Sequence, residues 1–160
     1  MIILGIDPGF ARTGYGLIEV NGNSFKMIDY GVIETKSDLE FNLRLKKISE
    51  DLNELIKKYK PLAVSVEKIF FCKNTKTAID VSHARGVVIL TASENNLKIF
   101  EFTPPEVKRA ITGYGKAEKQ QMQKMVQILL KLKEIPWPDD AADALALAIC
   151  AANNFDLYQK

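Results

Sequence analysis

The period of the apolar positions changes along this chain. Met1-Ile2-Ile3-Leu4-Gly5-Ile6 is a compact apolar run closed by Asp7-Pro8-Gly9, which predicts a buried strand followed by a turn. Two more strand-like stretches, 14–20 and 26–35, flank Asn21-Gly22-Asn23, so the opening reads as a three-stranded antiparallel meander. The period then becomes helical. Phe41, Leu45, Ile48, Leu52, Leu55 and Tyr59 recur at steps of four and three, behind the capping-box pattern Ser37-Asp38-Leu39-Glu40 and ahead of Pro61. A β-branched run over 62–67 predicts a fourth strand. Reached through a long helix, it should pair parallel. Residues 74–96 predict a second helix whose stretch 86–92 is apolar on nearly every side, as in a helix buried in a core or against another subunit. A fifth strand, 97–102, runs into Thr103-Pro104-Pro105-Glu106, a capping box with proline at the first helical position. That helix stops at Gly113. The loop Gly113-Tyr114-Gly115-Lys116 leads to another helix with Met122, Met125, Val126, Leu129 and Leu132 on one face. Pro136-Trp137-Pro138 breaks the chain before a last helix over about 139–152. The sum is one α/β domain over 1–152, with a five-stranded mixed sheet flanked by helices, and a short tail over 153–160.

Composition narrows the class without naming a function. A chain of 160 residues, 47% hydrophobic and 26% charged, is that of an ordinary soluble domain. No apolar run approaches the ~20 residues that span a bilayer, and the N-terminus lacks the basic start of a signal peptide. The expectation is a cytoplasmic protein with no membrane association. Cys72 and Cys150, with one histidine, argue against a zinc site or a disulfide framework. Charge is more informative in its distribution than in its sum of +2. Residues 68–124 carry ten Lys/Arg against five Asp/Glu, whereas 125–160 carry three against five. A basic middle beside an acidic end suits a polyanion-binding surface next to a carboxylate cluster, and equally an ordinary solvated face.

The acids carry the chemistry. Asp7 ends the first strand, Glu67 ends the fourth, and Asp140 and Asp143 stand three apart on a helix that is otherwise almost wholly apolar. Spacing i, i+3 puts the last two on one face. A buried carboxylate is costly unless it is paired or bound to a cation. Acids at two strand ends and on one packed helix can converge on a point, and an all-oxygen ligand set suits a hard cation such as Mg²⁺ or Mn²⁺. Two such ions are a common means of phosphodiester hydrolysis. Plainer readings stand beside this one. Asp7 is also placed to be a turn aspartate, Glu67 to pair with Lys68 or Lys73, and Asp140 to cap its helix, with Asp139 competing for that role. The shared-site reading accounts for all four at once.

Five blocks then resemble one family in order along roughly 1–152. They are Gly5-Ile6-Asp7-Pro8-Gly9-Phe10-Ala11-Arg12-Thr13-Gly14-Tyr15-Gly16, then Val66-Glu67-Lys68-Ile69-Phe70-Phe71-Cys72-Lys73-Asn74, and His83-Ala84-Arg85-Gly86. Val107-Lys108 with Gly113-Tyr114-Gly115-Lys116-Ala117-Glu118-Lys119, and Asp140-Ala141-Ala142-Asp143-Ala144-Leu145-Ala146, complete the set. Together they resemble the RuvC family of Holliday junction resolvases. The resemblance implies a ribonuclease-H-like fold and a Mg²⁺-dependent nuclease of four-way DNA junctions, with two ions per site and Mn²⁺ able to substitute. It implies that Asp7, Glu67, Asp140 and Asp143 hold the metal, that Lys108 and Lys119 assist at the phosphate, and that Phe70 stacks on a base near the junction centre. Lys73, Arg85 and Lys116 become candidate DNA contacts. A homodimer on the second helix is also implied, with a branch-migration helicase complex as a further partner; His83 on that helix is read as structural. Cys72 and Lys73 after the two phenylalanines depart from the pattern.

Three rivals share parts of it. An RNA-processing relative would also open with a strand-end aspartate. A phosphotransferase of the actin and sugar-kinase type needs two domains, and Gly9 to Gly14 is followed by Tyr15-Gly16 instead of the Lys-Ser/Thr of a P-loop. A non-catalytic junction-binding module would be expected to lack the acids present here.

Overall fold

The computed structural model describes residues 1–68 and 75–155, the side chains of 75–77 apart. Five strands, β1 (Ile2–Asp7), β2 (Arg12–Asn21), β3 (Ser24–Glu34), β4 (Ala63–Glu67) and β5 (Lys98–Phe102), form one sheet in the order β3-β2-β1-β4-β5. The β1–β2 and β2–β3 pairs are antiparallel, β1–β4 and β4–β5 parallel. This is the expected ribonuclease-H-like mixed sheet, with the meander first and the crossovers after it. Helices α1 (Phe41–Tyr59), α2 (Thr75–Glu94), α3 (Pro104–Thr112), α4 (Lys119–Leu129) and α5 (Asp139–Asn154) complete the order.

Side-chain alternation splits the core in two. Leu4, Ile6, Val64 and Val66 face α1 and α2, where Ile48, Leu52, Ala84 and Val88 meet them. Ile3, Ala63, Phe100 and Phe102 face the other way, onto α3, α4 and α5. The centre of that second layer is α5, in which ten of sixteen residues are buried, most of them alanines. Small side chains let its backbone lie almost on the sheet. Ideal Cβ atoms built on Gly5, Gly14 and Gly16 would stand 1.9 Å from Ala144 O, 2.1 Å from Asp140 O and 2.7 Å from Leu145 Cγ. Gly5 and Gly16 are direct cross-strand partners, so the contact is a patch of bare backbone under a helix.

The Thr103 capping box is present, with Pro104 opening α3. The Ser37 box is not. Helix α1 starts at Phe41 with Glu40 at its N-cap position and no side-chain cap. The Leu39 N–H is taken by Lys36 O, so Ser37 opens a turn, not a helix. An unanticipated cap starts α4, where Glu118 and Gln121 satisfy one another's backbone N–H groups. Helix α5 runs two residues past the expected end, through Asn154.

Candidate active site

The parallel register pairs Ile6 with Val66, so the next residues, Asp7 and Glu67, come side by side at the ends of two central strands. Both point to the α5 layer, as Ile3 and Ala63 do. Across the antiparallel pair, Asp7 stands opposite Gly14. That glycine lets the start of α5 settle over Asp7, and Asp140 and Asp143, one turn apart, approach from above. The turn after β1 is held by its threonines, since Thr13 Oγ1 donates to Gly9 O (2.7 Å) and Thr35 Oγ1 to Phe10 O (2.6 Å).

The four acids are half-buried and feel one another. Burial first, then the charges of Glu67, Asp143 and Asp140, push the Asp7 carboxyl up to about 8, against a pull down from Lys119. Burial and the Asp143 charge raise Glu67. Burial raises Asp143 as well, against the opposing pull of Lys119. Carboxylates held against their own charge are the usual signature of a functional site.

Two cations answer part of this charge. Arg12 Nε lies 3.5 Å from Asp140 and 3.7 Å from Glu34. Lys119 Nζ lies 3.0 Å from Asp139 and 3.6 Å from Asp143. Asp139 also accepts from Gln123 at 2.8 Å, which ties α4 to the first turn of α5. Pro138 occupies the N-cap position, so neither Asp139 nor Asp140 caps α5. Nor does Asp7 bond the turn that follows it, among the described residues. With Asp140 turned to Arg12 and Asp143 to Lys119, no three acidic or imidazole groups stand at the spacing of a closed metal shell among the described residues. The donor set nonetheless fits a divalent cation. It is anionic and all oxygen, and three members carry carboxyls raised by burial, the charge that a hard dication relieves.

A groove of about 220 Å³ opens beside the acids, lined by Glu67, Asp143, Lys108, Lys119, Val107 and Met122 among others. The structure thus brings Lys108 and Lys119 to the same groove as two of the acids. Lys116 is exposed on the α3–α4 connection and is not part of this lining. Arg85 turns inward. Its Nε donates to the Glu67 backbone O at 2.9 Å and its guanidinium pairs with Glu101, so it bears on the site through the end of β4. His83 packs edge-on against Phe41, with ring centroids 5.1 Å apart, as a structural residue would. Phe70, Lys73 and Cys72 lie outside the described residues. Sequence reasoning missed the roles of Arg12, Gly14 and Asp139. The available signal was glycine at alternate positions 14 and 16 of a strand, where a close backbone approach is the common reason.

A family model for the crossover junction endodeoxyribonuclease RuvC matches residues 3–151. The curated RuvC of Halothermothrix orenii is 55% identical over 160 residues, covering 100% of this chain and 97% of that one. The RuvC of Caldicellulosiruptor saccharolyticus is also 55% identical, covering 100% and 98%. Among solved structures, Thermus thermophilus RuvC matches with a TM-score of 0.92 at 32% identity, covering 99% of this chain and 97% of that one. The same Thermus protein in complex with a Holliday junction substrate matches at 0.89 and 30%, covering 98% and 96%. Identity above half over the full chain, with a family model matching residues 3–151 and the same fold, means that this chain belongs to the RuvC family of crossover junction endodeoxyribonucleases.

Proposed function

We propose that this chain resolves four-way DNA junctions by metal-dependent phosphodiester hydrolysis, making paired symmetric nicks with 5′-phosphate and 3′-hydroxyl ends. The observation that carries the reading is Asp7. It ends a central strand half-buried among three other acids, its carboxyl pushed up to about 8, beside a groove lined with lysine. Asp7, Glu67, Asp140 and Asp143 would hold Mg²⁺, with Mn²⁺ as a substitute. Two such ions supply charge neutralisation at the phosphate and a more acidic attacking water. The residues themselves set the geometry. The strand ends fix Asp7 and Glu67, and the first turns of α5 bring Asp140 and Asp143 over them. Lys108 and Lys119 present ammonium groups where charge grows on the phosphate oxygens as the P–O3′ bond breaks. Phe70 stacks on a base near the junction centre, Lys73 and Lys116 meet backbone phosphates, and Arg85 contributes through Glu67.

A homodimer suits this substrate, since two-fold symmetry gives one site for each of two opposed strands. An exposed stripe on α2 supports it. Ile79, His83, Gly86 and Leu90 follow at steps of four, three and four, all exposed, with Ile79 at 58% and Leu90 at 59%. Leu90→Asp should leave the fold intact and shift the protein to monomer in sedimentation. An unchanged dimer would move the interface elsewhere. A branch-migration helicase complex is the proposed partner for loading. No helix among the described residues is long and apolar enough to cross a membrane, and a cytoplasmic site of action fits a DNA substrate.

The test is cleavage of a synthetic mobile four-way junction with Mg²⁺, beside duplex, single-stranded and RNA–DNA controls. Paired nicks in the junction alone support the proposal; preference for RNA would move the chain to RNA processing. Lys119→Ala should lower the cutting rate by roughly 10²-fold, the usual loss for one preorganised charge donor. Its ion pairs are more than half exposed on the lysine side, so stability should fall by no more than ~1 kcal/mol. Equal rates at equal melting would remove Lys119 from the site.

A further inference from the structure

Trp137 is the chain's one tryptophan and, among the described residues, the most exposed of the large apolar side chains, at 76%. Nothing in the carboxylate chemistry uses it. Burying such a ring is strongly favourable, so a tryptophan held in water is available to a partner that covers it. Its place is specific. Pro136 is buried, Pro138 sits at the N-cap of α5, and Trp137 is fixed between two residues with restricted backbones. Asp140 follows three residues later. Even a fully extended chain places the two Cα atoms within about 11 Å, roughly three nucleotide steps of a strand at ~3.4 Å each. The same connection exposes Lys131 and Lys133, with one acid, Glu134, beside them. Acids flank the ring on its other side, where Asp139 is engaged by Lys119 and Gln123 and Asp140 by Arg12. A phosphate is repelled beside those acids, whereas the neutral face of a base is not. Lysines next to an aromatic platform are the arrangement that tracks a single strand, with cations on phosphates and the ring on a base.

We propose that Trp137 stacks on an unpaired nucleobase within about three nucleotides of the cut phosphate, beside the first turn of α5. This deepens the junction-nuclease reading and rests on it. A protein partner on the same ring is disfavoured by the two lysines and is an outcome of the test.

Because no other tryptophan contributes, its emission reports this one contact. The Asp7→Asn protein, which should bind without cutting, is titrated in Mg²⁺ with a four-way junction carrying a fluorescein label. Label anisotropy follows binding, while tryptophan emission and iodide access follow the ring. Quenched emission and lost iodide access, in step with anisotropy, are expected. Trp137→Ala should then bind the junction more weakly by roughly 5- to 150-fold, the range of one base stack, with Trp137→Phe recovering part of the loss and both variants melting as the parent does. Binding with unchanged emission and iodide access overturns the proposal and leaves the ring to a protein partner. Failure of the parent protein to bind any junction is a different result, because it overturns the junction-nuclease reading as well.

Discussion

Asp7→Asn should abolish junction cutting, by on the order of 10³-fold or more, and at the same time make the metal-free protein more stable. The second effect follows from the first carboxyl's surroundings. The folded Asp7 carboxyl stands at about 8 against the ordinary aspartate value of 3.8, raised by burial and then by three neighbouring acids. The folded state therefore holds this proton more tightly than the unfolded chain does. Stability from this group is fully present below about pH 4 and is lost as pH rises through about 8. The loss is at most about 1.4 kcal/mol per pH unit for one group. Glu67 and Asp143, raised in the same direction, add to it. Wild type in EDTA should thus melt lower at pH 8 than at pH 5, and Asp7→Asn should flatten that difference. Near pH 4 the two proteins should melt alike. A divalent cation should restore wild type at pH 8 and do much less for the variant. Thermal melts across pH, with and without Mg²⁺, check all of this. Identical melting of the two proteins at pH 8 in EDTA would remove the strained carboxyl, and retained cutting would remove Asp7 from the chemistry.

The site was legible where a local rule was broken. An apolar strand that ends in an acid breaks the strand pattern at Asp7 and again at Glu67. The pair Asp140 and Asp143 breaks an otherwise apolar helix. The crossover rule then made β1 and β4 parallel, which is why two acids 60 residues apart in sequence become neighbours. The sheet was readable for the same reason, because period two and period 3.6 are local signals. What stayed hidden depends on contacts between distant segments. Arg12 sits in the meander and meets Asp140 only because α5 crosses β2. Arg85 looks like a free cation on a helix, yet it serves the carbonyl of Glu67. Ser37 satisfied a capping pattern, but a turn closed by Lys36 and Leu39 took the position first. The competition between Asp139 and Asp140 was also a packing question. Pro138 takes the cap position, Lys119 and Gln123 from α4 hold Asp139, and Arg12 holds Asp140.

Gly14 is where that packing is most exposed to a single change. It stands opposite Asp7 in the sheet, and a Cβ there would lie 2.1 Å from Asp140 O and 2.4 Å from Asp140 C. Both are backbone atoms, so no side-chain rotation relieves the clash. Either β2 or the first turn of α5 must move, and α5 is the centre of its core layer. Overpacking of this kind costs about 1–3 kcal/mol and at times more; Gly14→Ala should reach the upper end, a loss of roughly 6–12 °C in Tm for a chain of this size. A second effect separates this position from an ordinary core site. The displaced turn carries Asp140, so the variant should lose much of the Tm rise that Mn²⁺ gives wild type, a shift set by RT ln(1 + [L]/Kd). Gly5→Ala presses instead on Ala144, 1.9 Å away and a turn further along α5. It should cost as much stability while disturbing metal binding less. Gly14→Ala melting within about two degrees of wild type, a shift worth about 0.5–1 kcal/mol, with its Mn²⁺ response intact, would mean that α5 does not rest closely on β2 and that this contact does not set the position of Asp140 over Asp7.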